Sequence, residues 1–243
     1  RVKRENIKPA VDSVLKFLSK YGVKASDTQL IGSTGKKDDS GDIDLGVLIT
    51  PIVTHFKSKD SLKLLTAEIK KEFGEAHLAF GNTISFPIET VNGEFAQMDL
   101  MFSDDLGRQA FNYHAPHPHE SKFKGAHRNL IMKNTIANMT RKGNDESYDR
   151  IWVDDGRLYT GSVTTVNGKR VVSNKVAQSH TPEEIIKHIY GKEFSLADSN
   201  SFETMYNMLM KSKNFTPAQR DKIKADTIKQ LVSSKLEVPM VLL

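Results

Sequence analysis

The segment from Asp42 to Ile49, with the sequence DIDLGVLI, constrains the fold more than any other part of the chain. Asp42, Asp44 and Gly46 alternate with apolar residues, which is the period of a β-strand that buries one face. The apolar face carries Ile43, Leu45, Val47 and Ile49. Unpaired carboxylates are costly to bury, so the two acids must lie on an open face or be neutralised by a partner.

A second segment repeats this design further along the chain. Residues 95–102, FAQMDLMF, place Asp99 opposite an apolar face formed by Ala96, Met98, Leu100 and Phe102. The dipeptide Asn92–Gly93 precedes it and is typical of a type I′ turn, so we predict a β-hairpin over residues 83–102. Each of the two acid-bearing strands therefore has an apolar back and an acidic front.

If the two strands are neighbours in one sheet, Asp42, Asp44 and Asp99 converge. Three ionised carboxylates repel one another strongly unless a cation neutralises them. Ligands that are all oxygen favour a hard ion, Mg²⁺ or Mn²⁺, over zinc. Two such ions suit an in-line displacement at phosphorus, in which an attacking hydroxyl replaces a pyrophosphate.

The turn at Gly32–Ser33 precedes the acid-bearing strand and supplies a candidate phosphate site. Glycine lets the backbone approach a ligand closely, and the Ser33 hydroxyl with nearby backbone N–H groups can hold triphosphate oxygens. Lys36 and Lys37 follow in a charged spacer. They either add positive charge to this site or are simply solvated.

Together, IGSTGKKDDSGDIDLGVLI and the later FAQMDLMF resemble the DNA polymerase β-like nucleotidyltransferase superfamily over roughly residues 25–103. The resemblance implies an α+β fold, with a nucleotidyltransferase-type mixed β-sheet packed on helices and an NTP such as ATP as donor. It also implies two divalent metal ions, Mg²⁺ or Mn²⁺. Asp42 and Asp44 would bind both ions. Asp99 would bind the ion at the attacking hydroxyl and help to deprotonate that hydroxyl.

The rest of the chain reads as a mixed, largely helical second part. We place the domain boundary near residues 110–125, with a catalytic, palm-like domain over 1–115 and a C-terminal domain for nucleotide or acceptor binding over 116–243.

Within this second part, we predict a helix that ends at Gly143 and core burial of Trp152. Turns are predicted at Asp155–Gly156 and Asn167–Gly168. Helix starts are predicted at Thr181 and Thr216, where a Thr cap precedes Pro and a later acid or amide.

Basic residues at the start of this second part are further candidates. Lys122, Lys124 and Arg128 precede or open a predicted helix, where cations are mildly unfavourable. They either bind a triphosphate or an acceptor phosphate, or they solvate the helix terminus. Four histidines lie nearby without the spacing of a zinc site, so we expect them to contact substrate or solvent: His114, His117, His119 and His127.

Composition restricts the kinds of metal site, the membrane association and the cellular compartment that we expect. The 243-residue chain has a formal net charge of +5 and no cysteine, so it has neither disulfides nor thiolate metal sites. It has no run of about 18 apolar residues, so we expect no membrane span. The lack of cysteine suits a reducing compartment, and we expect a cytoplasmic protein.

The sequence therefore predicts a nucleotidyltransferase that moves NMP from an NTP to a hydroxyl and releases pyrophosphate. The basic balance favours a nucleic-acid 3′ end as acceptor, preferably RNA. One alternative is nucleotidylylation of a protein or a small molecule. Another is a non-catalytic nucleotide-binding module. The oligomeric state is left open.

Overall fold

The protein is described by a computed structural model over residues 1–91, 93–139, 142–143, 147–154 and 156–243, with backbone alone for 142–143. The chain divides into two compact units, Arg1–Pro118 and His119–Leu243. This division lies close to the boundary expected between residues 115 and 116, and the roles assigned to the two parts stay predictions. Among the described residues, no helix is long and apolar enough to cross a membrane.

The first unit is an α+β structure built around a mixed sheet. Its elements are β1 Val2–Lys3, α1 Arg4–Leu18, β2 Thr28–Leu30, β3 Asp39–Ser40, β4 Ile43–Leu48, α2 Thr50–Phe56, α3 Ser61–Phe73, β5 His77–Ala79, β6 Thr83–Glu89, β7 Phe95–Ser103 and α4 Leu106–Asn112. The sheet has the order β2-β4-β7-β6-β5, in which only β4 and β7 are parallel neighbours. β1 and β3 form a separate two-stranded ribbon. The predicted class, a mixed sheet packed on helices, is confirmed.

One face of this sheet is buried against α1 and α3. All the residues predicted for the apolar faces of β4 and β7 lie in the core, except Ile49, which packs partly buried at its edge. Val14 and Leu18 of α1 and Leu65 and Ile69 of α3 are fully buried opposite them. Burial of each large apolar side chain contributes about 1.5–3 kcal/mol, so this face fixes which way the acidic face points.

Glycines end the two core helices, as the sequence predicts. α1 passes into a short 3₁₀ turn and stops at Gly22, whose φ is 84°, and α3 stops at Gly74, whose φ is 94°. These left-handed conformations cost glycine little. The predicted β6–β7 hairpin is confirmed by antiparallel pairing of the two strands. The turn type predicted at Asn92–Gly93 cannot be compared, since Asn92 lies outside the described residues.

The second unit combines helices with an antiparallel sheet. Its elements are α5 Gly125–Met139, β8 Lys142–Gly143, β9 Ser147–Asp154, β10 Arg157–Val166, β11 Lys169–Ser179, α6 Pro182–Tyr190, α7 Phe202–Lys211 and α8 Pro217–Ser233. The sheet has the order β11-β10-β9-β8. Thr181 and Thr216 form capping boxes at the starts of α6 and α8, so both predicted helix starts are confirmed. The predicted turn at Asn167–Gly168 is confirmed, with φ values of 51° and 74°.

Two expectations for this unit are wrong. The helix predicted to end at Gly143 does not reach that residue, because Lys142–Gly143 pairs with β9 as a short strand, a long-range contact that helical periodicity cannot reveal. Trp152 is half-buried rather than in the core, because it shares a face of β9 with Arg150 and Asp154, both exposed. The other predicted turn cannot be compared, because Asp155 lies outside the described residues.

Replacement of Leu45 by alanine tests the contribution of the β4 core face. Leu45 is 1% exposed, so Leu45→Ala is expected to lower the free energy of unfolding by about 2–5 kcal/mol. Leu64→Ala is the matched control, because Leu64 on α3 is 42% exposed and its loss should cost well under about 1 kcal/mol. Urea unfolding followed by circular dichroism measures both. Equal destabilisation would contradict this assignment of the core.

Candidate active site

Three carboxylates meet on the face of the first unit's sheet that faces away from the core. β4 and β7 pair in parallel with Asp44 directly opposite Asp99. Asp42 shares the Asp44 face of the chain, two residues earlier. Each of the three residues offers one carboxylate oxygen, and these oxygens all lie within 4.8 Å of one another. The structure therefore brings together the acids that the sequence places on two separate strands.

Burial and the neighbouring charges raise the pKa of Asp42 and of Asp44. Burial, followed by the charges of Asp42 and Asp99, raises the pKa of Asp44 from its ordinary value to about 7. Burial likewise raises the pKa of Asp42, with the Asp99 charge as the second cause. A cation held between the carboxylates would remove this penalty, because it favours the ionised form of each acid.

The donor set fits a hard divalent cation. Every donor is a carboxylate oxygen, and all three residues are partly exposed, so an ion can enter from solvent. Oxygen donors of this kind suit Mg²⁺ or Mn²⁺ better than a soft transition metal. Among the described residues, this is the one group of histidine or acidic side chains whose atoms lie close enough together to hold a metal ion.

Two polar neighbours that sequence reasoning missed hold the acids in place. The Gln97 side-chain amide donates to both carboxylate oxygens of Asp99 at 3.0 Å. The backbone N–H of Asp44 donates to the Thr34 hydroxyl at 2.9 Å. Gln97 shares a strand face with Asp99, so the alternation of residues could have indicated it. Nothing in the sequence indicates Thr34, since its contact depends on how the preceding loop folds back.

Gly32 leaves room for the Asp44 carboxylate. Its φ is 64°, and a Cβ at this position would lie 2.6 Å from Oδ2 of Asp44. Its N–H donates to the Tyr113 carbonyl at 3.1 Å, so this N–H does not point to a phosphate. The next residue, Ser33, is exposed, and its hydroxyl makes no hydrogen bond within the described part of the chain. Its predicted role in phosphate binding stays a prediction.

The charged spacer after this turn is anchored at several points. Lys36 donates to the Ala115 carbonyl, so its ammonium group is held by the protein. Asp38 and Asp39, for which the sequence suggested no role, form ion pairs with Arg4 at 3.5 Å and Arg1 at 2.6 Å. These pairs are largely exposed and contribute little to stability individually. They join the end of the spacer to the residues on either side of β1.

The acidic face of β4 ends at Gly46. A Cβ at Gly46 would overlap Oε1 of Gln109, whose buried side chain from α4 lies over this part of the strand. The amide of Gln109 donates to the Met101 carbonyl of β7 at 2.7 Å. Helix α4 therefore covers the strand pair directly beyond Asp44 and Asp99.

The basic candidates belong to the second unit. Lys122 is exposed and pairs with Glu237 at 2.9 Å, and Lys124 is exposed. Arg128 is 1% exposed and donates to the Ser199 carbonyl, and burial lowers its pKa to about 10. The Arg128 guanidinium is therefore held inside the second unit. Phosphate binding by Arg128, Lys122 and Lys124 stays a prediction.

The histidine-rich segment is split between the two units. His127 is buried in the second unit, and its Nε2 lies 3.0 Å from the Glu237 carbonyl. His114 belongs to the first unit, where its backbone bridges to Gly32. Within the described residues, no histidine joins a group that could hold a metal ion. The expected contact of these histidines with substrate or solvent stays a prediction.

Comparison with known proteins finds similarity among solved structures only. No family model matches the sequence, and no curated protein matches it. A nucleotidyltransferase-like antigenic protein from Paracoccidioides brasiliensis is 13% identical, with a TM-score of 0.31 over 96% of this chain and 91% of that one. The Cid1 RNA terminal uridylyl transferase is 14% identical, with a TM-score of 0.31 over 88% of this chain and 66% of that one. A cytoplasmic RNA terminal U-transferase is 12% identical, with a TM-score of 0.30 over 88% and 67%.

These neighbours are all described as nucleotidyltransferases or nucleotidyltransferase-like proteins, the class that the sequence resembles. TM-scores of this size do not establish a family or an activity for this chain. The function is therefore argued from the carboxylate cluster itself.

The raised pKa of Asp44 predicts that the free energy of unfolding depends on pH. The folded protein holds this proton up to a pH of about 7, whereas the unfolded chain releases it near 3.8, so stability is lost as the pH rises between these values. Without divalent ions, Asp44→Asn is expected to be more stable than wild type at pH 8 by about 1–2 kcal/mol, after allowance for solvent screening. Urea unfolding in EDTA measures this. The advantage should shrink towards pH 4, and a pH-independent difference would contradict the assignment.

Gly32→Ala tests whether the glycine makes room for Asp44. The added Cβ would strain the positive φ and displace the Asp44 carboxylate. We therefore expect Gly32→Ala to lack most of the rise in melting temperature that Mg²⁺ should give the wild type. Gly41→Ala is the matched control, because a Cβ there meets no atom within 4 Å. Thermal melts of both variants with and without Mg²⁺ measure the effect. An unchanged Mg²⁺ response in Gly32→Ala would contradict this role.

Proposed function

We propose that the protein is a metal-dependent nucleotidyltransferase. The acceptor hydroxyl oxygen forms a bond to the α-phosphorus of an NTP, the bond from that phosphorus to the bridging oxygen breaks, and pyrophosphate leaves. The observation that carries this proposal is the in-register placement of Asp44 beside Asp99, with Asp42 on the same face and ligand oxygens within 4.8 Å. Such a cluster is suited to phosphoryl chemistry, where positioning and charge neutralisation supply most of the catalysis.

The carboxylates differ in their parts in this proposal. Asp42 and Asp44 would hold both of two divalent cations and Asp99 the one at the acceptor hydroxyl, and bound Mg²⁺ or Mn²⁺ would neutralise the triphosphate and acidify that hydroxyl. Asp99 accepts the hydroxyl proton, and Gln97 orients its carboxylate by two hydrogen bonds. Ser33 offers its exposed hydroxyl to a triphosphate oxygen.

The acceptor is proposed to be a nucleic-acid 3′ end, with RNA preferred. The formal net charge of +5 supports a polyanionic partner. A protein or small-molecule hydroxyl would use the same three carboxylates. A non-catalytic module would bind the metal and the NTP at the same cluster without turnover, so turnover is the measurement that separates it from an enzyme.

The test is an assay of pyrophosphate release and label transfer. Each α-labelled NTP is incubated with Mg²⁺ or Mn²⁺ and with a panel of RNA, DNA, protein and aminoglycoside-type acceptors. Wild type should label at least one acceptor, and EDTA should stop the reaction. Asp44→Asn and Asp99→Asn should each lower the rate by a factor of about 100 or more, because both metal binding and hydroxyl activation depend on them.

Asp12→Asn is the matched control. Asp12 lies on α1 and pairs with Lys8 on the surface, so its loss of one negative charge should leave transfer unchanged. Metal–NTP binding by wild type without any pyrophosphate release would assign the protein to the non-catalytic class. Transfer that persists in Asp44→Asn would refute the proposed chemistry.

A further inference from the structure

A second functional surface lies on the sheet of the second unit. Trp152 of β9 and Tyr159 of β10 are directly opposite each other in register. Their rings stack with centroids 5.9 Å apart and an angle of 25° between their planes. Both residues are only partly buried. We call the surface formed by Arg150, Trp152, Tyr159 and Lys175 the aromatic-basic face.

Cations surround this aromatic pair. Lys175 Nζ lies 4.0 Å from the Tyr159 ring centroid and 5.9 Å from that of Trp152. Arg150 Cζ lies 5.9 Å from the Trp152 centroid on the same strand face. The carboxylate on this face of β9 is Asp154, and Lys175 pairs with it at 3.0 Å. Among the described residues named here, two cations therefore stand against one carboxylate.

The indole is held in place by the backbone beneath it. A Cβ at Gly161 would lie 3.0 Å from Cη2 of Trp152 and 3.0 Å from the Ser173 carbonyl. Gly161 lies at an irregularity in the β10–β11 pairing, between Thr160 and Ser162. Because Gly161 of β10 has no side chain, the Trp152 indole can occupy this space. Trp152 is therefore partly exposed and closely packed at the same time, which suits a side chain that contacts a ligand.

We propose that the aromatic-basic face binds single-stranded nucleic acid. Bases stack on Trp152 and Tyr159, while Arg150 and Lys175 contact the phosphates. Stacked aromatic side chains bordered by cations provide the two interactions that single strands offer, an exposed base face and a charged backbone. A duplex keeps its bases stacked on each other and offers the rings no base face. An acidic peptide would use the cations and leave the rings without a partner.

The identity of the bound strand as the acceptor rests on the proposed function. The binding itself does not, because none of its residues belongs to the carboxylate cluster. The two proposals can therefore fail separately. Binding is measured without NTP, and transfer is measured with it.

The probe for this face is the chain's own fluorescence. Trp152 is the only tryptophan in the sequence, so a quenched emission reports contact at this position alone. Full-length protein is titrated with a 12-nucleotide uridine RNA, a 12-nucleotide thymidine DNA, an RNA duplex of equal length and polyglutamate. Anisotropy of the labelled strand gives an independent affinity. The single strands should quench Trp152 and bind more weakly as salt rises, whereas the duplex and polyglutamate should not quench it.

Substitutions separate stacking from charge. Trp152→Ala and Tyr159→Ala should each weaken single-strand binding about tenfold, and Trp152→Phe should retain most of the affinity. Lys175→Ala should reduce the slope of log affinity against log salt by about 1. Lys213→Ala, an equal charge loss at an exposed position between α7 and α8, should leave affinity and slope unchanged. Circular dichroism melts confirm that each variant is folded.

Asp44→Asn connects this test to the catalytic proposal. It should bind and quench as wild type does while losing transfer. Trp152-dependent binding in a protein that transfers to no acceptor would leave the inference standing and remove the proposed function. Wild-type affinity in both Trp152→Ala and Tyr159→Ala would overturn the inference, as would equal quenching by polyglutamate. A change in oligomeric state in Trp152→Ala, with unchanged strand affinity, would assign the face to a second copy of the chain.

Discussion

The parallel pairing of β4 with β7 gives the first unit both its core and its acidic cluster. The apolar sides of the two strands pack on α1 and α3, and each buried side chain contributes about 1.5–3 kcal/mol. The same register places Asp44 beside Asp99 on the opposite side. The repulsion and desolvation of the acids oppose folding, and hydrophobic burial on the back of the strands offsets them. A position that costs stability without a ligand is common at sites built to bind one.

The loop before β4 completes this arrangement. Gly32 leaves room for the Asp44 carboxylate, Thr34 accepts its backbone N–H, and Gln97 fixes Asp99 from the neighbouring strand position. The Gly32–Ser33 turn resembles a phosphate-binding loop, but within the protein it helps to position the Asp44 carboxylate. Its exposed Ser33 is the part that remains directed at solvent.

The parts of the fold that follow local rules could be predicted from the sequence. Alternation assigned the faces of β4 and β7, and Thr-Pro starts located α6 and α8. Contacts between distant segments could not be predicted. The hydrogen bond from Asp44 to Thr34 and the pairing of Lys142–Gly143 with β9 depend on the folded backbone. The prediction that Trp152 is buried in the core is wrong for a related reason. The alternation of residues in a strand gives its two faces but does not show which face is covered in the folded protein.

The position of Gln109 over Gly46 limits which residues of the chain can contribute carboxylates to the cluster. Since α4 covers β4 directly beyond Asp44, the chain here supplies Asp42, which directly precedes β4, and Asp44 within it. The third carboxylate comes from Asp99 on β7, more than fifty residues later in the chain. No short segment contains the site, so it cannot be excised as a peptide or formed early on the nascent chain. A partly folded molecule in which β4 and β7 are not yet paired therefore lacks the cluster.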